Sequence, residues 1–175
     1  MQYVLSVAVI LVASFLVALM GCTSNERQSE FPTDDAKKLA KELWETCLVN
    51  KVDVEHAIQN ARNAEQSVVF IGVRWSATSQ WATAPYAQFM LDYNSSHPNS
   101  KLLFHYIDCT SLSDDYSPLT EIPGWHDSGA VIHGNGELAW LKNGRVLRVE
   151  PICGFRDFRS IEKLTTITDE LMADP

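Results

Sequence analysis

The chain has 175 residues, of which 46% are hydrophobic, and its formal net charge at pH 7 is −8. This acidic balance argues against binding to nucleic acid, which depends on Lys and Arg side chains that neutralise phosphates. It also argues against adhesion to anionic lipid headgroups. The length beyond residue 22 suffices for one domain with a hydrophobic core and is too short for two.

The N-terminal segment is expected to direct export. Residues 1–22 carry no charged side chain, and an apolar run over 4–20 leads into Gly21 and Cys22. The run Leu19-Met20-Gly21-Cys22 resembles the lipobox of bacterial lipoproteins, in which the cysteine is acylated. The resemblance implies a signal peptide over 1–21, lipid attachment at Cys22, and a membrane-anchored lipoprotein facing the periplasm or the cell exterior. An uncleaved anchor helix and a plain secretory signal are the alternatives, and both also predict export.

A polar segment without apolar periodicity follows over 22–35 and predicts a flexible tether. The folded domain is expected over 36–175. Its elements are predicted from apolar residues three and four apart in helices, from continuous apolar runs in buried strands, and from an Asn-Gly turn. In chain order they are a helix over 34–50, a helix over 54–65, a strand over 67–75, a helix over 79–94 kinked at Pro85, a strand over 101–108, hairpin strands over 138–141 and 145–149, and a helix over 155–171.

This order of elements predicts an α/β sandwich with a central mixed β-sheet flanked by helices. The first two strands need a parallel crossover, whereas the hairpin is antiparallel. Trp44, Trp81 and Trp140 fit apolar stripes and are expected in the core. Trp125 is expected to hold its loop against the body rather than to form an exposed binding feature.

The cysteines do not suggest a redox pair. If Cys22 is acylated, then Cys47, Cys109 and Cys153 remain, and no two cysteines have the spacing Cys-x-x-Cys. Three buried thiols are favoured over one disulfide with one thiol left over, because free cysteine is among the most buried residue types.

Several segments together resemble the thioredoxin-like superfamily. The run over 68–75 is similar to the strand that ends in the tryptophan before the redox turn, and 103–108 is similar to the following strand, which often ends in Ile-Asp. The segment over 138–146, with Lys142-Asn143-Gly144, resembles the hairpin of the family. The resemblance extends over about 53–171 and implies a thioredoxin-like sandwich.

The redox turn of the family is substituted in this sequence. Counted from Trp75, the two catalytic cysteines fall on Ser76 and Ser79. Counted back from Pro85, the helix-kinking proline of the family, they fall on Ala77 and Gln80. Neither alignment places a thiol in the turn.

Two supporting residues of the family are also replaced. The buried acid would fall on Phe70, and the proline before the hairpin would fall near Gly136. The resemblance therefore implies a redox-inactive domain at a membrane that binds a protein or peptide of the cell envelope, with no catalytic residue, cofactor or metal. A metal site formed by His126, Asp127 and His133 is a weaker hypothesis, because the spacing matches no recognised pattern.

Two other functions remain open. A divergent thiol–disulfide oxidoreductase would use a single cysteine, either Cys109 or Cys153. A purely structural envelope lipoprotein would have no specific partner.

Overall fold

The computed structural model describes residues 31–46, 51–112 and 115–173. The predictions for the signal segment, for lipid attachment at Cys22 and for Cys47 concern residues outside these ranges. Among the described residues, no helix is both long enough and apolar enough to cross a lipid bilayer.

The described chain contains the predicted series of helices and strands. The helices are α1 (Asp34–Thr46), α2 (Lys51–Asn63), α3 (Ala77–Ser96) and α4 (Phe158–Met172), and the strands are β1 (Gln66–Gly72), β2 (Leu103–Asp108), β3 (Glu137–Lys142) and β4 (Arg145–Pro151). The largest differences from the sequence prediction are at element ends. Strand β1 stops at Gly72 rather than at residue 75, α2 starts three residues earlier than expected, and α4 starts three residues later.

The four strands form one mixed sheet in the order β2-β1-β3-β4. Strand β1 pairs parallel with β2, from Ser67 opposite Leu103 to Gly72 opposite Asp108. Strand β3 is antiparallel to both β1 and β4. The predicted mixed sheet flanked by helices is confirmed.

Each face of the sheet is covered by its own core. On one face, Val69, Ile71 and Ala139 pack with α2 and with the long segment between β2 and β3, which includes Trp125. On the other face, Phe70 and Trp140 pack with α3 and α4. Such double coverage explains why the central strands are almost entirely apolar.

The tryptophans settle three of the expectations. Trp125 is buried and joins the first core, so it holds its loop against the body as predicted. Trp140 is buried as predicted, and its Nε1 donates a hydrogen bond to Thr168 Oγ1 at 2.8 Å. The prediction for Trp81 was wrong, because its side chain is 76% exposed. It lies about 100° round the helix from the neighbouring buried Ala82, so it falls outside the stripe that faces the sheet.

The last residues of the predicted tether contact the folded body. The backbone N–H and the hydroxyl of Thr33 both donate to Gln88 Oε1, at 2.9 and 2.8 Å. Phe31 packs against the second core, and α1 then runs along α3 with Ala36 and Ala40 buried. Residues 31–33 are therefore part of the folded body.

Candidate functional site

The candidate site lies where β1 leads into α3. Ser76 is the N-cap of α3, and its Oγ accepts a hydrogen bond from the backbone N–H of Ser79 at 3.3 Å. This side-chain bond satisfies one of the backbone donors that a helix N-terminus leaves without a partner. Ser79 is buried in the first turn, whereas Ala77 and Gln80, the other predicted pair of positions, are exposed.

Both serine hydroxyls bind the same carbonyl oxygen. Ser76 Oγ donates to Gly134 O at 2.5 Å, and Ser79 Oγ donates to it at 3.0 Å. The Ser79 hydroxyl also accepts from the backbone N–H of Val73 at 3.2 Å. Because a hydroxyl has a single proton to donate, both protons are used in joining the loop 133–136 to the start of α3. This arrangement is structural, since activation of a serine nucleophile requires its proton to face a base.

The joined loop is closely packed. A Cβ atom on Gly134 would come within 2.9 Å of the Trp75 ring, and one on Gly136 would come within 2.5 Å of Ala82 Cβ. Gly136 also has a φ of +75°. Proline holds φ near −65°, so the backbone at this position has a conformation that proline cannot adopt. The structure thus gives a physical reason for a glycine where the resemblance implied a proline.

The position predicted for a buried acid is apolar, but a neighbouring strand supplies a buried carboxylate. Phe70 is fully buried in the second core. Glu137, the first residue of β3, is 2% exposed and pairs with Ile71 of β1. Its Oε1 accepts from the backbone N–H groups of His133 and Asn135, at 3.0 and 3.2 Å.

The second oxygen of Glu137, Oε2, is buried without a hydrogen-bond partner among the described residues. Burial raises the pKa of this carboxyl group, and the two backbone hydrogen bonds offset only part of that effect. Sequence reasoning missed Glu137 because a glutamate at the first position of a strand is usually exposed. The sequence feature that could have indicated a special role for Glu137 is its position directly after Gly134-Asn135-Gly136.

Arg74, which lies two residues before Ser76, is oriented by an ion pair. Arg74 Nε donates to Asp108 Oδ2 at 2.5 Å, and the Asp108 carboxylate also accepts from the backbone N–H of Thr110 at 2.9 Å. Arg74 Nη2 reaches the carbonyl oxygen of Trp44 at 2.8 Å, with the guanidinium 5.6 Å from the centre of the Trp44 ring. Arg74 is thereby held against the body, and the next residue, Trp75, is 66% exposed.

An open groove of about 610 Å³ lies beside the first turns of α3. Its lining is largely apolar. Among the described residues, the charged side chains that line it are those of Lys37 and Arg156. The apolar lining residues include Phe31, Pro32, Trp81, Pro85 and Phe155.

The structure separates the two predicted reactive thiols. Cys153 is partly exposed and lines the groove. Cys109 is buried in the first core, on the other face of the sheet. Neither lies in the turn that contains Ser76 and Ser79.

The predicted alternative of a metal site has no support among the described residues, since no three His, Cys, Asp or Glu side chains there are grouped to hold an ion. Asp127 is paired with Arg145 at 2.6 Å, and His126 and His133 are exposed.

The sheet order, the strand directions, the helices on both faces and a helix that starts directly after the central strand define a thioredoxin-like fold. Comparison with solved structures finds thioredoxin-like proteins. The zinc-bound form of human ERp44 is 20% identical, with a TM-score of 0.48, over 69% of this chain and 31% of ERp44.

Two plant thioredoxins match along most of their own length. Oxidised thioredoxin O2 from Arabidopsis thaliana is 12% identical, with a TM-score of 0.44, over 73% of this chain and 93% of that one. A poplar thioredoxin h mutant is 20% identical, with a TM-score of 0.44, over 74% and 84%. Neither a protein-family model nor a curated protein sequence matches the chain.

The two serine hydroxyls should stabilise the fold measurably. Ser79→Ala leaves the buried N–H of Val73 without its acceptor and should lower the free energy of unfolding by about 1–3 kcal/mol. Ser76→Ala removes the helix cap and should lower it by about 0.5–2 kcal/mol. Urea unfolding checks both values, with Ser95→Ala, an exposed residue near the other end of α3, as the control. Unchanged stability in both variants would contradict the proposed junction.

Glu137 should make stability depend on pH in a defined direction. Because its pKa is raised in the folded state, the folded protein binds this proton more tightly than the unfolded chain. Its contribution is therefore fully present at low pH and is lost as the pH rises from the ordinary glutamate range through the folded pKa. Glu137→Gln stays uncharged, so its unfolding free energy relative to the wild type should increase as the pH rises above the ordinary glutamate range. A constant difference, or one of opposite slope, would contradict the raised pKa.

Proposed function

We propose that this chain is a non-catalytic thioredoxin-like domain that binds an extended peptide of a partner protein in the groove beside α3. The observation that carries the proposal is the exposure of Trp81, 76% of which faces solvent at the wall of the groove. A large aromatic side chain exposed in an apolar groove is characteristic of a binding surface. Tryptophan is also among the residues that most often dominate binding energy at interfaces.

The groove is built by parts of the chain that are distant in sequence. The residues before α1 contribute Phe31 and Pro32, α3 contributes Trp81 and Pro85, and the segment before α4 contributes Phe155. Its volume of about 610 Å³ is within the usual range for ligand pockets. The hydrogen bonds of Thr33 to Gln88 hold the first wall in place.

The charge of the groove favours a particular kind of peptide. Lys37 and Arg156 line it, and no Asp or Glu among the described residues does, although the whole chain has a net charge of −8. Lys37 also binds the exposed Asp34 at 3.2 Å, so this cation is partly neutralised. The occupant that fits best is an apolar segment with at least one acidic side chain that can reach Arg156.

The proposal includes the loss of dithiol chemistry. The turn before α3 contains hydroxyls in place of thiols, and a hydroxyl forms no disulfide. Those hydroxyls are bound to Gly134 O. Redox inactivity is thus supported by the absence of sulfur from the turn and by the hydrogen bonds that the two replacing hydroxyl groups form.

A divergent oxidoreductase that uses Cys153 is the second candidate, because this thiol lines the same groove. A reactive thiolate needs a nearby cation or helix N-terminus to stabilise its charge. One candidate, Arg156, donates its Nε to the backbone carbonyl of Cys153 at 3.3 Å rather than to the sulfur. This contact favours binding over thiol chemistry.

We further propose that the domain is exported and is held at a membrane through Cys22. The support is the resemblance of Leu19-Met20-Gly21-Cys22 to a lipobox, together with the polar segment that follows. A groove near the start of the folded body would then face partners within reach of the tether. A purely structural envelope lipoprotein is the alternative, and it predicts no dependence on Trp81.

Replacing Trp81 should weaken peptide binding without unfolding the protein. Peptides selected from a random display library against the full chain should lose at least about tenfold in affinity for Trp81→Ala, as expected for a central interface tryptophan. Leu103→Ala is the matched control, since Leu103 is also an exposed apolar residue but lies outside the groove, at the start of β2. Selected peptides that bind both variants equally, or a selection that yields no specific peptide, would refute the proposal.

The protein should fail to catalyse disulfide reduction. We expect no dithiothreitol-dependent acceleration of insulin reduction, because the turn before α3 contains no thiol. Cys153 should react with iodoacetamide no faster than a small thiol in solution, and the buried Cys109 should not react before unfolding. Substantial turnover, or labelling of Cys153 much faster than that of the small thiol, would support the oxidoreductase instead.

A further inference from the structure

A second cavity, of about 220 Å³, lies at the same end of the sheet and has Glu137 in its lining. Exposed residues that include Gly129, Val131 and His133 also line it. Glu137 is 2% exposed and its Oε2 is buried, so a ligand that binds this oxygen has to displace part of the cavity lining. This cavity is separate from the groove beside α3, with which it shares no lining residue.

We infer that this cavity binds a primary ammonium group, of the kind carried by a lysine side chain of the bound partner. The inference extends the proposed peptide-binding function by naming one chemical feature of the partner. It starts from the buried Glu137 Oε2, which has no hydrogen-bond partner among the described residues. A buried acceptor without a donor is energetically unfavourable, and a ligand that supplies the donor removes that cost.

The charges around the cavity favour a cation. Glu137, Glu150 and His133 are the ionisable residues that line it, and no Lys or Arg among the described residues does. Glu150 already forms an ion pair with Arg148, and the ionisable side chain beside Glu137 is that of His133, whose charge lowers the pKa of this carboxyl group. A cation placed there would both donate a hydrogen bond and offset the desolvation of the carboxylate.

The geometry favours ammonium over guanidinium. Glu137 Oε1 already accepts two backbone N–H groups, from His133 and Asn135. Only Oε2 remains for a ligand, whereas the planar fork of a guanidinium is best matched by two carboxylate oxygens. An ammonium on a flexible stem can approach one oxygen as a point charge.

The cavity is connected to the candidate site through the loop 133–136. The N–H groups of this loop bind Glu137, while its Gly134 carbonyl binds Ser76 and Ser79. Trp75, which is exposed, lies against Gly134.

Butylammonium is the probe for this inference. Added to the isotopically labelled full chain, it should shift the backbone amide resonances of His133 and Asn135 in a saturable manner. Glu137→Gln should weaken this binding at least about tenfold, the effect expected for a hydrogen bond to a charged group. Glu150→Gln should change it less than about threefold, because Glu150 is already paired.

Two further measurements keep the test decisive. Val131→Trp should block the cavity from its exposed side and abolish the shifts even if Glu137→Gln does not fold. 1-Butanol, a neutral donor of similar size, should produce no saturable shift at these two amides. Equal binding of butanol, equal binding to Glu137→Gln, or no saturable shift with butylammonium would each overturn the inference.

The inference and the proposed function fail in different experiments. If selected peptides bind through Trp81 but butylammonium does not bind, the ammonium site is wrong and the peptide groove stands. If butylammonium binds through Glu137 but no peptide depends on Trp81, the ammonium site stands and the proposed peptide groove is wrong.

Discussion

The carbonyl oxygen of Gly134 accepts hydrogen bonds from two serine hydroxyls, and the geometry of the candidate site depends on this junction. Ser76 and Ser79 connect the start of α3 to the loop that precedes β3. The same loop turns its N–H groups towards Glu137. One short segment therefore links the helix N-terminus to the buried carboxyl group of Glu137.

The junction explains how a thioredoxin-like scaffold persists without dithiol chemistry. In this chain the side chains at the start of α3 contribute hydrogen bonds to stability, and glycines allow the loop to approach Trp75 and Ala82 closely. Trp75 is exposed just before α3, and Trp81, six residues later, is exposed beside the groove. Fixed backbone and exposed aromatic side chains suit binding, because little conformational entropy is lost when a partner docks.

Much of the fold could be predicted from local patterns, but the site could not. Continuous apolar runs predicted β1 and β2, and Asn143-Gly144 predicted the hairpin, because these signals are local. The exposure of Trp81 was missed because a broad apolar stripe does not reveal which of its edges faces the sheet. The contacts of Arg74 with Asp108 and of Ser76 with Gly134 join residues 34 and 58 positions apart, and no periodicity encodes them.

The most direct test of the central claim is a crystal structure of the full chain with a selected peptide. We expect an extended peptide packed against Trp81 and Phe155, with both serine hydroxyls still bound to Gly134 O. A peptide joined to Cys153 by a disulfide, or one seated away from the groove while the loop 133–136 separates from α3, would contradict it.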